Sequence, residues 1–220
     1  VKIQSIHFDA TEKLQEFIEK KVAKLECMEE HQVTVDGEYS KLEEPFVVIA
    51  TQNPIETAGT YQLPEAQLDR FLMKINMGYP EKDDEVLILN RFLKEDPSKE
   101  LSTVATCEDI VAMKEDVKNV YVHPVLIDYI VELSRMTRQQ DNVSIGVSPR
   151  GTLGMLNAAR AYAYVAGRDY VVPEDIKILA PVVWAHRIVL QTGYMNMDNK
   201  EQIIKHVVNN TAVPTEDWKR

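Results

Sequence analysis

Residues 45–54 read Pro-Phe-Val-Val-Ile-Ala-Thr-Gln-Asn-Pro, and the fold class of the first third of the chain rests on this stretch. Its apolar residues are continuous and do not alternate with polar ones, which is typical of a strand buried on both faces of a parallel sheet. Three polar residues, Thr51, Gln52 and Asn53, end the run. Because open α/β sheets bind ligands at the carboxyl ends of their strands, we expect these side chains to lie at a ligand site.

The segments around this run predict a small α/β unit. Asp36-Gly37 lies between two short apolar stretches and predicts a hairpin, and residues 71–77 predict a second strand. Residues 1–26 alternate at first and then place apolar residues at helical spacing, which predicts one strand followed by one helix. Two strands and a hairpin are too few for a whole sheet domain, because a buried parallel strand needs neighbours on both sides.

From residue 81 to residue 220 the apolar residues recur at helical spacing. Ser148-Pro149 and Val172-Pro173 predict two helix starts, because Ser caps a helix and Pro suits its first turn. Gly167 predicts a helix end. The sequence therefore predicts an all-α bundle in this part, with helices near 82–94, 107–116, 124–138, 149–166 and 173–190.

The composition disfavours several classes of protein. The 220 residues include 25 basic and 35 acidic side chains, a net charge of −10, which argues against nucleic-acid binding. No run approaches the ~20 apolar residues of a membrane span, and no secretory signal is present, so we expect a cytoplasmic protein. The two cysteines and the histidines have no metal-ligand spacing, so the sequence predicts no metal site from them.

Four ordered blocks of the sequence closely resemble the MoxR family of AAA+ ATPases. They are residues 27–35, 45–56, 59–71 and 146–152, and a shorter match at 158–161 follows. The resemblance covers about residues 25–220. It implies that residues 27–80 are the C-terminal part of a P-loop AAA+ α/β core and that residues 81–220 are the helical lid.

The family resemblance also implies an activity and partners. It implies a Mg-ATP-driven, chaperone-like remodelling machine that forms a homo-oligomeric ring, a hexamer. It further implies work with proteins that carry a von Willebrand factor A domain. The cofactors expected from the resemblance are ATP and Mg.

The resemblance assigns roles to three polar residues. Asn53 aligns with sensor 1, which in this family helps to place the attacking water against the γ-phosphate. Arg70 aligns with the arginine finger, which stabilises charge developing on a phosphoryl group held by the neighbouring subunit. Arg150 aligns with sensor 2 of the lid, where a guanidinium fork fits phosphate oxygens. We therefore expect catalytic roles for Asn53 and Arg70 and nucleotide binding by Arg150.

Taken singly, the same three residues also have plainer interpretations. An Asn after a strand can cap a turn, as Asn53 would. Arg70 can form a solvent-exposed ion pair with Glu65 or Asp69. A cation at a helix N-terminus opposes the helix dipole, so Arg150 can also be an ordinary surface residue.

Two motifs that hold ATP and Mg in this family do not occur in the 220 residues. No Gly-x-x-x-x-Gly-Lys-Ser/Thr loop is present, and residues 146–153 have its glycine spacing without the lysine. Residues 20–26, where the family has an apolar strand ending in Asp-Glu, are rich in lysine. We therefore predict that the chain alone does not hydrolyse ATP. The alternative function is a non-catalytic interaction module that docks onto intact AAA+ subunits or another protein.

The opening segment has a different resemblance. Residues 1–26 resemble the first strand and helix of the hibernation-promoting factor family, which binds idle ribosomes. Because the two resemblances meet near Leu25-Glu26, we infer a chimeric junction there. Ribosome binding through this segment is a third hypothesis, and the acidic balance of the chain disfavours it.

Overall fold

The computed structural model describes residues 32–35, 38–41, 43–51, 63–93, 102–191, 197–216 and 218, with only the backbone for 32–41 and 197–198. The strand and helix predicted within residues 1–26, and Asn53, lie outside the described residues. The described elements are β1 (Gln32–Val35), β2 (Glu38–Lys41), α1 (Glu65–Leu68), α2 (Lys82–Phe92), α3 (Cys107–Val117), α4 (Pro124–Thr137), β3 (Val143–Ile145), α5 (Pro149–Val165), α6 (Pro173–Trp184), the 3₁₀ turn Ala185–Arg187, β4 (Val189–Leu190) and α7 (Met197–Asn210).

Both described sheets are two-stranded and antiparallel. β1 pairs with β2, with Gln32 opposite Lys41 and Val35 opposite Glu38, which confirms the predicted hairpin. β3 pairs with β4, a pairing that the sequence did not predict. The Ser144 hydroxyl of β3 donates to the Val189 carbonyl at 3.1 Å and ties the second pair together.

Neither of the two longer stretches predicted as strands forms one. Residues 46–51 and 71–80 have irregular backbone, and Val47 and Ile49 are 69% and 75% exposed. A parallel strand needs ladder partners, and no described strand adjoins either stretch. Residues 71–77 lie instead against the helical part, where the Lys74 N–H donates to the Val182 carbonyl at 2.8 Å. The strand predictions for 45–50 and 71–77 are therefore wrong.

The hydrophobic core lies among the helices that follow residue 120. Helices α4, α5, α6 and α7 pack on one another, with α6 in contact with both α5 and α7. Burial of large apolar side chains is the main driving force for this packing. The largest fully buried apolar side chains are Trp184, Leu126, Ile130, Leu133, Met155, Ile176, Ile188 and Ile204.

The helix starts that the sequence predicted are confirmed. The Ser148 side chain caps α5 by accepting from the Gly151 N–H at 3.2 Å, and Pro149 takes the first helical position. Helix α6 begins at Pro173. Gly167 follows α5 with φ +73°, the left-handed conformation of a helix stop.

Two predictions about the C-terminal part are wrong. The helix predicted over 173–190 ends at Trp184 and is followed by the 3₁₀ turn and β4. Helix α7, at Met197–Asn210, was not predicted. Residues 182–190 are mostly apolar, so periodicity alone does not separate helix from strand there. In α7 the helical spacing of Ile203, Ile204, Val207 and Val208 was a usable signal that the sequence analysis missed.

A partly buried ion pair holds the start of α6 to the segment that follows α5. Both guanidinium nitrogens of Arg168 donate to the Asp175 carboxylate, at 2.9 and 2.6 Å. Asp175 is 2% exposed and also accepts from the Val172 N–H at 2.9 Å. The hydrogen bonds that Arg168 donates to the Asp175 carboxylate raise the pKa of Arg168. This pair lies at the N-terminal end of α6, and a second ion pair, that of Arg187 with Asp69, follows the C-terminal end.

Helix α2 lies apart from the core. All of its described residues are exposed, including Val86, Leu87, Ile88 and Leu89, which are between 45% and 66% exposed. Four consecutive apolar side chains in solvent form an uncovered apolar surface. Of the described helices, none is long and apolar enough to cross a membrane.

Replacement by alanine should have opposite effects on stability at two glycines of α5. A Cβ at Gly151 would lie 2.8 Å from Val147 Cγ1 and 3.0 Å from Arg187 Cδ, both buried, whereas a Cβ at Gly154 would make only 3.5 Å contacts. Alanine favours a helix over glycine by about 1 kcal/mol. Gly154→Ala should therefore raise the free energy of unfolding by up to about 1 kcal/mol. Gly151→Ala should lower it by about 1–3 kcal/mol through overpacking.

Urea denaturation of the two variants and the parent chain measures both effects. The variants differ by three positions on one helix, so each is the control for the other. Equal stabilisation by both substitutions would contradict the close approach at Gly151.

Candidate functional site

The predicted finger residue lies in a turn that follows α1. The Arg70 N–H donates to the Gln67 carbonyl and the Phe71 N–H to the Leu68 carbonyl, each at 3.2 Å. These bonds fold residues 69–72 into a compact turn, and the Arg70 side chain is half-buried. The turn leads directly into the segment that lies against α6.

The structure brings Arg150 beside that turn. Arg150 is the second residue of α5, and its side chain is 42% exposed. Its Nη1 lies 3.7 Å from Asp69 Oδ2, one residue before Arg70. The predicted residues Arg70 and Arg150 therefore belong to one region of the molecule.

Asp69 is the centre of this region. Both of its carboxylate oxygens accept from the Ser148 hydroxyl at 3.1 Å, and Oδ1 also accepts from Arg187 Nη1 at 2.7 Å. Ser148 is the N-cap of α5, so the carboxylate lies at a helix N-terminus, where the helix dipole favours negative charge. Asp69 thus joins three separate parts of the chain: the Arg70 turn, the start of α5 and the end of α6.

Arg187 is the residue of the site that the sequence did not predict. Its side chain is 2% exposed, and its Nε donates to the Val183 carbonyl at 2.8 Å. Nη1 donates to the Asp69 carbonyl and carboxylate, at 2.5 and 2.7 Å. Nη2 donates to the Phe71 carbonyl at 2.6 Å and to Leu72 at 3.4 Å. All five N–H donors of the guanidinium therefore have acceptors.

His186 lies beside Arg187 on the 3₁₀ turn and contacts the same segment. Its Nε2 is 3.0 Å from the Phe71 carbonyl, and since a carbonyl only accepts, Nε2 carries the proton. The Nδ1 atom is buried and makes no hydrogen bond with a described residue. Burial in the first place, and then the positive charges of Arg187 and Lys74, lower the pKa of His186 to about 4.

The charge balance of the region favours an anion. Arg187 neutralises Asp69 and its donors are all used, so the two cations that face this region with exposed surface are Arg150 and the half-buried Arg70. Guanidinium groups match phosphate oxygens in charge and in planar geometry. The 3.7 Å separation of Arg150 from Asp69 is longer than the ~2.8 Å of a charge-assisted hydrogen bond, so the contact is a loose one. Phosphate is therefore a chemically suitable ligand for this surface.

The described residues offer no comparable arrangement for a metal ion. Within the described part of the chain, no group of three or more His, Cys, Asp or Glu side chains could hold one. Magnesium prefers several oxygen ligands in octahedral geometry, and Asp69 alone, which already accepts from Ser148 and Arg187, does not offer them.

Two family models match the chain. Residues 12–73 match the "ATPase family associated with various cellular activities (AAA)", and residues 135–207 match the "AAA lid domain". The first match ends just after the Arg70 turn, and the second spans α5, α6 and most of α7. The two matched regions therefore meet in space at Asp69, Ser148 and Arg187.

Individual relatives agree with these matches. The chain is 44% identical over 195 residues to YeaC of Bacillus subtilis (strain 168), covering 88% of this chain and 61% of that protein. It is 39% identical over 202 residues to the chaperone MoxR1 of Mycobacterium tuberculosis, covering 87% of this chain and 53% of that protein. It is 31% identical over 166 residues to MoxR of Methylorubrum extorquens, covering 67% and 48%. The chain thus spans about half to six-tenths of these relatives.

A solved structure shares the fold. The crystal structure of a candidate ATPase from Cytophaga hutchinsonii superposes with a TM-score of 0.79 at 32% identity, covering 93% of this chain and 63% of that one. The fold is that of an AAA+ ATPase with a helical lid. Within this class, the named relatives support assignment of the chain to the MoxR family of AAA+ ATPases.

The buried imidazole makes stability depend on pH. The unfolded chain protonates His186 near pH 6.5, whereas the folded chain does so only near pH 4. Between these values the unfolded state binds more protons, so the free energy of unfolding falls as the pH drops from about 6.5 to about 4. The contribution is about 3 kcal/mol. Denaturation curves at pH 7 and pH 4 should show this loss in the parent chain and a smaller one in His186→Gln. Parallel pH dependence in the two proteins would contradict the buried neutral imidazole.

Proposed function

We propose that the chain provides the arginine finger and the two sensors of a MoxR-type AAA+ ATPase, which couples ATP hydrolysis to chaperone-like remodelling. Its three functional residues are Asn53, Arg70 and Arg150. The observation that carries this proposal is the junction at Asp69, where the Arg70 turn meets the start of α5 and its Arg150. Phosphate recognition needs cations at defined positions, and the proximity of Arg150 to the Arg70 turn supports the proposal that these two cations act on one ligand.

Each residue has a separate task in this proposal. Arg70 stabilises the charge that develops on the transferred phosphoryl group, and its guanidinium belongs to the neighbouring subunit's site. Arg150 binds the nucleotide, since its half-exposed side chain starts at a helix N-terminus that also favours phosphate. Asn53, outside the described residues, orients the attacking water through its amide. When bound, ATP supplies the phosphoryl group that is transferred.

The same proposal implies ATP and Mg as cofactors, and the described residues fit only ATP. The arginines of the site fit the phosphates of ATP, but the described residues do not fit Mg. No P-loop lysine or Asp-Glu pair stands in the sequence at the places where the family has them. We therefore propose that the phosphate cradle and the Mg ligands come from another subunit or segment, and that the chain is inactive alone.

The remaining proposals concern assembly and organisation. We propose that residues 27–80 are part of the AAA+ core and 81–220 are the lid. A finger that acts on a neighbouring nucleotide requires an oligomer, so the chain functions in a ring, a hexamer, or beside intact AAA+ subunits. Proteins with a von Willebrand factor A domain are its proposed partners, and the cytoplasm its location. The hibernation-type origin of residues 1–26, with a junction at Leu25-Glu26, stays a prediction.

A complementation experiment tests the proposed role of Arg70. The chain is mixed with full-length MoxR1 in which the residue aligned with Arg70 is replaced by alanine, and Mg-dependent ATP hydrolysis is measured. We expect no hydrolysis from the chain alone and activity in the mixture, because the chain supplies the missing finger. Arg70→Ala in the chain should lower kcat of the mixture by about 10³-fold or more.

The control variant is Arg135→Ala, which removes an exposed arginine from α4. It should support the same rate as the parent chain. Hydrolysis by the chain alone, or equal support from Arg70→Ala, would overturn the proposal. Stable association with MoxR1 without any stimulation would favour the non-catalytic interaction module instead.

A further inference from the structure

The backbone on both sides of Arg70 is held by a single side chain from the lid. Arg187 binds the carbonyls of Asp69, Phe71 and Leu72, which flank Arg70 in sequence. Through Nε it also binds the Val183 carbonyl in the last turn of α6. One planar group thus fixes the Arg70 turn to the C-terminal end of α6.

Other contacts of residues 69–74 also join this segment to the lid. Lys74 donates its N–H to Val182, again in the last turn of α6, and His186 donates to Phe71. The Asp69 carboxylate adds the link to Ser148 at the start of α5. Both ends of the Arg70 turn are therefore tied to lid helices. Helix α1 also packs against the 3₁₀ turn that carries Arg187.

We infer that Arg187 is a positioning residue for Arg70: its guanidinium makes the Arg70 turn move with α5 and α6 as one rigid unit. The inference rests on the proposed function for the role of Arg70, but the mechanical link rests on the contacts alone. A lid movement of any amplitude then carries Arg70 with it, so the placement of the finger toward a neighbouring nucleotide follows the state of this subunit's lid.

The chemistry of arginine explains why a lysine would not suffice. Four backbone carbonyls and one carboxylate converge on the guanidinium, and the fork reaches them in fixed directions. A lysine ammonium has three donors at one point and cannot span the carbonyls of Asp69 and Phe71 together. Arg187→Lys keeps the positive charge beside Asp69 and removes the link.

Amide hydrogen exchange of the whole chain tests the link without any nucleotide. The reporter amides are Phe71 and Lys74, whose hydrogen bonds depend on the turn and on its contact with α6. In Arg187→Lys we expect exchange at these amides to rise about tenfold to hundredfold, because at least two hydrogen bonds from a charged donor are lost. Exchange in the core of α4, at residues 126–133, should change much less.

The matched control is Arg168→Lys. Arg168 also makes a fork with a buried carboxylate, that of Asp175, at the other end of α6. Asp175 lies roughly 12 Å along the helix from Val183. Its replacement should leave exchange at Phe71 and Lys74 as in the parent chain. Equal increases at the reporters and in α4 in both variants, or no increase at the reporters in Arg187→Lys, would overturn the inference.

A second variant guards against failure of Arg187→Lys to fold. Asp69→Asn keeps an oxygen acceptor for Arg187 and Ser148 and removes only the charge. It should raise exchange at Phe71 and Lys74 by a smaller factor than Arg187→Lys does. Unchanged exchange at the reporters in this variant would count against the Asp69 link.

The complementation assay then separates this inference from the proposed function. With Arg187→Lys in the mixture we expect kcat to fall at least about tenfold with the KM for ATP unchanged, because Arg70 acts in the transition state. Arg168→Lys should leave both constants unchanged. If the parent chain does not stimulate ATP hydrolysis in the mixture, the proposed function fails. The exchange data alone then decide whether Arg187 links the Arg70 turn to the lid. If stimulation occurs and Arg187→Lys leaves kcat unchanged, the positioning role fails while the proposed function stands.

Discussion

The buried charge of Arg187 is the constraint on which the site and its surroundings depend. A guanidinium that is 2% exposed has lost its water, and burial of an unpaired charge is strongly destabilising. The Asp69 carboxylate and four backbone carbonyls replace that water. The lid therefore cannot reach its native packing without the Arg70 turn in place. The same charge also helps to order the turn, through the carbonyls of Asp69, Phe71 and Leu72.

This dependence explains why the sequence predicted the lid better than the segment before it. The starts of α5 and α6 carry local signals, Ser148-Pro149 and Val172-Pro173, and capping chemistry acts within a few residues. The predicted strands at 45–50 and 71–77 relied on pattern alone. A strand forms only where it can hydrogen-bond to a neighbouring strand, and neither apolar run has such a neighbour among the described residues. Residues 71–77 instead contact α6, and no local sequence pattern predicts that contact.

The site was predictable only in part, for a similar reason. Family resemblance pointed to Arg70 and Arg150, and the structure brings them to one junction, though their roles remain proposals. Asp69 appeared in the sequence only as a possible surface partner of Arg70, yet it pairs with Arg187, 118 residues away. The available signal for Arg187 and His186 was their position inside the apolar run 182–190, where ionisable side chains need buried partners. The partners themselves are set by tertiary contacts.

Gly151 decides whether the Arg187 side chain can pass along α5. Its missing side chain leaves the passage through which the Arg187 stem reaches the Arg70 turn, since a Cβ there would lie 3.0 Å from Arg187 Cδ. Its carbonyl also accepts from Trp184 Nε1 at 2.9 Å, which holds the two helices at this close distance. A side chain at position 151 would press on Val147 and on the Arg187 stem together. Through that stem, a substitution in the first turn of α5 would also shift the Arg70 turn.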